Sequence, residues 1–133
     1  MNAAARFVAG LRSKDHVNDV TAAIRDLHWL KIDQRIAFKL WVLMHSIVCG
    51  YSPQYMADMV TSVSSLPSRT HLHSASVGMF DVPQTRIIQG SQAFSIVGPR
   101  ARNTLPTAIK LLSCRATFKR HLKTLLFVKS YDS

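Results

Sequence analysis

One long apolar segment, residues 36–51, constrains the fold of this chain more than any other feature. Its apolar residues recur at positions i, i+4, i+7, i+8 and i+11, which lie on one face of an α-helix. Further apolar residues widen that face, so we expect a helix that is buried on most sides. Lys39 and His45 interrupt the segment, which is too short and too polar to span a bilayer. The predicted core residues of the whole chain are Trp29, Ile36, Leu40, Leu43, Met44, Phe118 and Leu122.

Shorter helices are predicted on both sides of this segment. Residues 15–27 have the spacing of an amphipathic helix, and Asp33 is placed to cap the start of the central helix. Gly50 is typical of the residue that ends a helix, and residues 53–60 follow as a short helix. Two terminal helices are predicted: Leu105, Ile109 and Leu112 fit the first, and the last, with apolar and basic sides, follows Ser113.

The chain divides by composition into two lobes and a connection. Residues 61–76 are rich in Ser and cannot bury an apolar face, so they are predicted to connect lobes 1–60 and 77–133. In the second lobe, the segments VGMFDV and RIIQG flank PQT and suggest a short β-hairpin. We therefore predict a mainly α fold, a small helical bundle, with an α+β alternative if the hairpin forms.

The charge of the chain indicates a polyanionic partner. Seventeen Lys and Arg residues face seven acidic residues, which gives a formal net charge of +10. We expect RNA or DNA as the partner, because clustered basic residues track phosphates. A membrane-surface helix is the second interpretation; the spread of the charges over two segments disfavours it. The predicted phosphate-contacting residues are Arg69, Arg86, Arg100, Arg102, Arg115, Lys119, Arg120 and Lys123.

Catalysis within this chain is not expected, nor is a cofactor or a metal ion. The Asp residues are scattered, whereas two-metal chemistry needs converging carboxylates. The pair His71 and His73 lies in the Ser-rich connection without nearby Cys ligands. His45 and Cys49 share a helix face, but a nucleophilic couple needs a pocket that joins them, which we do not expect on so apolar a helix. The absence of a CxxC pattern favours a reducing, intracellular compartment.

A series of segments in this order carries a family resemblance: AARFVAGLRSKDHV, IRDLHWLKIDQRIAFKL, GYSPQYMADMV, VPQTR, AFSIVGPRARNTLP and FKRHLKTLLF. The series resembles the C-terminal tail of non-LTR (LINE-type) retrotransposon reverse transcriptases, in particular the chains labelled tick transposon. The resemblance implies that the paired-aspartate polymerase site of an RNA-directed DNA polymerase lies upstream. It also implies that this tail is a non-catalytic helical module that supports the polymerase domains and touches template RNA or target DNA.

Three departures from the family pattern suggest a decayed or truncated copy. The family usually has Trp where Arg102 stands and often has His where Leu125 stands, and residues 21–23 look like an insertion. The pattern is also already under way at Met1. If the site of Arg102 is buried, loss of a large aromatic there should leave a cavity or a rearrangement. The alternative function is a stand-alone, exapted interaction protein with the Trp29/Trp41 core as its scaffold.

Overall fold

The computed structural model describes residues 2–131, without the side chains of Asn2, Ser74 and Ala75. Most of these residues are helical. The α-helices are α1 (Asn2–Val8), α2 (Val17–Asp26), α3 (Ile32–Val48), α4 (Gln54–Ala57), α5 (His73–Ser76), α6 (Phe94–Asn103), α7 (Thr107–Lys110) and α8 (Arg115–Tyr131). Single 3₁₀ turns lie at Val63–Ser65 and Gly90–Gln92.

The main core forms where α6 and α8 pack against α3. Trp41 and Val42 of α3 meet Phe118 and Leu122 of α8 in one buried cluster. The Trp41 indole N–H donates a 2.7 Å hydrogen bond to the carbonyl oxygen of Ala101 in α6. The buried indole N–H of Trp41 therefore has a hydrogen-bond acceptor, as is usual for a buried Trp.

Gly98 allows the close contact between α3 and α6. A Cβ atom at this position would lie 2.9 Å from the sulfur of Met44 and 3.2 Å from the ring of Phe94. Pro99 follows it inside α6, where the missing N–H removes one helical hydrogen bond. The helix nevertheless continues to Asn103, and both Gly98 and Pro99 are buried.

A smaller apolar cluster holds the N-terminal helices to the end of the chain. Ala5 of α1 packs with Val20 and Ile24 of α2, and Tyr131 lies against them. Arg25 also donates a 3.0 Å hydrogen bond to the carbonyl oxygen of Tyr131. The last residues of α8 thus contact the first lobe of the sequence.

The mainly α fold is confirmed, but the β-hairpin is wrong. Within residues 77–93 the structure contains only one bridge residue, Phe80, which pairs with Ser62 in an isolated antiparallel bridge. Turns interrupt both segments that were predicted to form the strands, and Ile87 and Ile88 of the second segment are exposed. The lobe boundaries at 60 and 77 stay a prediction. None of the helices within residues 2–131 has the length and hydrophobicity needed to cross a bilayer.

The predicted core residues divide into three groups. Met44, Phe118 and Leu122 are fully buried, and Trp29 and Leu40 are partly buried. Ile36 and Leu43, in contrast, are 56% and 38% exposed, so their assignment to the core is wrong. Within the described residues, the helices that pack on α3 leave these two side chains exposed.

The predicted helix ends are partly correct. Lys31, not Asp33, is the N-cap of α3, and Asp33 lies in the first turn, where its negative charge favours the helix dipole. Gly50 follows the C-cap with a φ of 75°, as predicted for a helix-ending glycine. The last helix begins at Arg115, close to its predicted start.

Candidate nucleic-acid interface

An open groove of about 560 Å³ lies between the loop that precedes α3, the first turns of α3, and α8. Trp29 and Phe38 contribute partly buried aromatic rings to it. Its basic lining residues are Arg35, Lys39 and Lys123. The groove therefore combines aromatic surface with positive charge.

The loop before α3 is held in place by an unusual backbone conformation. His28 has a φ of 53°, in the left-handed region, and its ring stacks on Phe127 of α8 at 5.2 Å between ring centroids. The Trp29 N–H donates a 2.9 Å hydrogen bond to the carbonyl oxygen of Ile24, which closes α2. The Tyr131 hydroxyl donates a 3.1 Å hydrogen bond to the carbonyl oxygen of Trp29. Contacts from α2 and α8 thus fix the backbone of Trp29.

Three basic residues at the start of α3 form a stripe that was not among the predicted phosphate-contacting residues. Lys31, Arg35 and Lys39 are spaced at i, i+4 and i+8, so they share one side of the helix start. Lys31 lies 5.4 Å from the centre of the Tyr131 ring, a cation–π distance. The spacing was visible in the sequence, but Lys39 was interpreted there only as an interruption of the apolar segment 36–51.

The predicted phosphate-contacting residues do not form one surface. Lys123 lines the groove together with Arg35 and Lys39 of the α3 stripe. Arg69 forms a 2.9 Å ion pair with Asp81. Arg102 is only 2% exposed and lines a cavity rather than an open surface, so its contact with phosphate stays a prediction. Arg86, Arg100, Arg115 and Arg120 are exposed, and Lys119 is partly buried.

A second cavity, of about 540 Å³, lies at the other end of α3. His45 and Cys49 line it together with Arg102 and Lys110. The expectation that no pocket joins His45 and Cys49 is therefore wrong. The cavity exists because Arg102 and the segment around Lys110 approach the C-terminal turns of α3.

The geometry of His45 and Cys49 does not suit proton transfer between them. His45 Nε2 lies 2.8 Å from the carbonyl oxygen of Leu112, which can only accept, so Nε2 carries the proton. The Cys49 sulfur is 3.8 Å from Nδ1 and 3.6 Å from Nε2. A thiol aligned with the Nδ1 lone pair would be much farther from Nε2. Burial lowers the pKa of His45 by disfavouring its charged form.

Arg102 carries a buried charge with few hydrogen-bond partners. Its Nη2 donates a 3.3 Å hydrogen bond to the carbonyl oxygen of Lys110, and its guanidinium lies 5.9 Å from the Phe80 ring centre. Nε and Nη1 are buried and have no partner within residues 2–131. Burial lowers the pKa of Arg102, and both burial and the Arg102 charge lower that of Lys110.

Metal binding receives no support from the described part of the chain. Among residues 2–131, no three His, Cys, Asp or Glu side chains come together in a way that could hold a metal ion. The chain as a whole matches no protein-family model, no curated protein and no solved structure.

Proposed function

We propose that this chain is a non-catalytic module that binds RNA or DNA through the groove between α3 and α8. The groove carries this proposal, because it places the rings of Trp29 and Phe38 beside the charges of Lys39 and Lys123. Proteins that bind single strands combine these two elements: bases stack on aromatic rings while cations follow the phosphates. The formal net charge of +10 supports the same partner by raising the rate of encounter.

The geometry favours a single strand over a duplex. Trp29 and Phe38 are only partly buried within an open groove, so an unpaired base has a ring face to stack on. A paired base inside a duplex does not expose its face. Lys39 and Lys123 are exposed and come from different helices, so they can contact phosphates on both sides of the stacked base.

The test is the affinity of the full chain for a labelled single-stranded RNA, measured by fluorescence anisotropy over a range of salt concentrations. Lys39→Gln and Lys123→Gln should each weaken binding and lower the log–log salt slope by about 0.7, the value for one phosphate contact on a single strand. Arg86→Gln is the matched control, because it removes one exposed charge away from the groove. Equal losses in all three variants would refute the groove as the binding site.

Tryptophan fluorescence gives an independent measurement of base stacking. Trp29 lines the groove, whereas Trp41 is 9% exposed and lies in the core. RNA should therefore quench the fluorescence of the wild-type chain, and Trp29→Phe should remove that quenching. Quenching that persists in Trp29→Phe would contradict a base stacked on this ring.

The family resemblance extends this proposal to a parent protein. On this basis the module is the C-terminal part of a LINE-type reverse transcriptase, with an RNA-directed DNA polymerase upstream. The test is the transcript that carries this reading frame, extended upstream of Met1. A frame that continues into a polymerase palm with paired Asp supports this origin, and a stop codon directly upstream leaves binding alone to be tested.

A stand-alone interaction protein is the second candidate. Exposed apolar side chains favour it: Ile36 and Leu43 are exposed on α3, and Phe7 is 89% exposed. Such residues mark a surface for a protein partner when they are contiguous. A monodisperse chain with a cooperative thermal transition and no salt-dependent RNA binding would favour this function over the first.

A further inference from the structure

We propose that the cavity between α3, α6 and α7 binds a phosphate group, with Arg102 and Lys110 as its cationic ligands. This site is separate from the groove and does not depend on the proposed nucleic-acid binding there. It is lined by two positively charged side chains that are almost completely removed from water, Arg102 at 2% and Lys110 at 7% exposed.

The first step is the missing counter-charge. A buried guanidinium is normally paired with a carboxylate, because an isolated buried charge is costly. No carboxylate within residues 2–131 forms an ion pair with Arg102 or with Lys110. Both side chains donate instead to backbone carbonyl oxygens, Arg102 to Lys110 and Lys110 to Asn103. These contacts supply hydrogen bonds but no negative charge.

The second step is the unused donors. The Nε and Nη1 atoms of Arg102 have no hydrogen-bond partner in the described chain, although both are buried. A guanidinium offers its N–H groups in a planar fork that matches two oxygens of a phosphate. In the proposed complex, the guanidinium turns its free donors toward the cavity that the side chain lines. An oxyanion bound there supplies both the charge and the acceptors that the chain lacks.

The third step is access. The cavity of about 540 Å³ is open to solvent and includes exposed residues such as Tyr51 and Leu111, so an ion can enter it. Cys49 also lines it and is partly exposed. A phosphate bound beside Arg102 therefore shields the Cys49 thiol. This makes Cys49 a reporter built into the site.

The experiment measures the alkylation rate of Cys49 by iodoacetamide in full-length Cys114→Ser, where Cys49 is the remaining thiol. Inorganic phosphate should slow the reaction relative to chloride at equal ionic strength and pH. Arg102→Met in the same background should abolish this protection, whereas Arg100→Met, an exposed arginine of the same helix, should retain it. Absence of protection by phosphate, or equal protection in Arg102→Met, would overturn the proposal.

A second measurement keeps the proposal testable if the substitution changes the fold. Phosphate should raise the thermal midpoint of the unmodified wild-type chain more than chloride does, and an equal effect of the two salts would contradict the site.

Single-stranded RNA then identifies the source of the phosphate. Protection of Cys49 by RNA, lost in Arg102→Met, assigns the site to a nucleic-acid phosphate, whereas protection by inorganic phosphate alone assigns it to a small ligand. Lys39→Gln, a groove variant, should leave phosphate protection unchanged, which separates this site from the groove.

Discussion

Replacement of Arg102 by Met should stabilise the fold, although it removes a side chain that is almost fully buried. In the wild-type chain, Nε and Nη1 are buried without partners. Each unsatisfied buried group costs about 1–3 kcal/mol, so together they cost about 2–6 kcal/mol. Met has a similar length, carries no charge and adapts to irregular space, so it should fill most of the same volume.

The favourable contacts of Arg102 offset part of this cost. Its hydrogen bond to the Lys110 carbonyl oxygen contributes about 1.5–3 kcal/mol, as is usual for a charged donor. Its contact with the Phe80 ring, at 5.9 Å close to the outer limit of a cation–π interaction, adds about 0.5–1 kcal/mol, and Met keeps part of that by sulfur–aromatic contact. The difference favours Arg102→Met by about 1 kcal/mol in phosphate-free buffer. For a chain of this size, that free energy raises the thermal midpoint by about 3–5 °C.

Thermal and urea unfolding followed by circular dichroism measure this effect. Arg100→Met is the control, because Arg100 is exposed on the same helix and its replacement should change the free energy of unfolding by less than about 0.5 kcal/mol. A fall in the midpoint of Arg102→Met by several degrees, with Arg100→Met unchanged, would show that the buried charge is satisfied by contacts that outweigh its burial.

Other consequences of the structure can be measured in the same way. Phe118→Ala should lower the free energy of unfolding by about 3–5 kcal/mol in urea titrations, because Phe118 is fully buried in the main core, whereas Phe7→Ala should have almost no effect. Burial lowers the pKa of His45 in the folded chain, so the unfolded chain binds a proton at a higher pH than the folded chain does. The free energy of unfolding should therefore be constant above about pH 6.5 and decline as the pH falls from there toward the folded pKa. His45→Gln should weaken this pH dependence. The backbone N–H and hydroxyl of Thr117 lower the pKa of the exposed Cys114 thiol. The alkylation rate of Cys114 should therefore reach half its maximum at a lower pH than the rate of free cysteine does. Thr117→Val should shift this midpoint to higher pH.

The helical fold could be predicted because its signals are local. The apolar spacing from residue 36 to residue 47 predicts α3, Gly50 predicts its end, and both agree with the structure. Exposure of Ile36 and Leu43 could not be predicted in the same way. Periodicity shows that a helix has an apolar side, but the number of neighbouring helices decides how much of that side is covered. In this chain α6 and α8 cover only part of α3.

The two cavities depend on contacts between distant parts of the chain, which spacing does not reveal. Lys39 and Lys123 are separated by most of the sequence, and they line one groove because α8 packs against α3. Arg102 was predicted to contact phosphate as one of the basic residues of the second lobe, and its burial was not predicted. Its burial follows from its position on the side of α6 that faces the core, opposite the exposed Arg100.

Two interpretations of Arg102 lead to opposite expectations for one variant. The family resemblance predicts Trp at this position, so Arg102 is either a defect in the core of a decayed copy or a residue that serves a ligand. Arg102→Trp should fill part of the adjacent cavity and remove the unpaired charge, so it should raise the thermal midpoint in phosphate-free buffer under both interpretations. The interpretations separate when phosphate is added. A defect gives a wild-type chain that gains nothing from phosphate, whereas a ligand-binding residue gives a wild-type chain that phosphate stabilises and an Arg102→Trp chain that it does not. If Arg102 serves a ligand, its replacement by Trp should therefore raise the stability of the free chain and abolish phosphate binding.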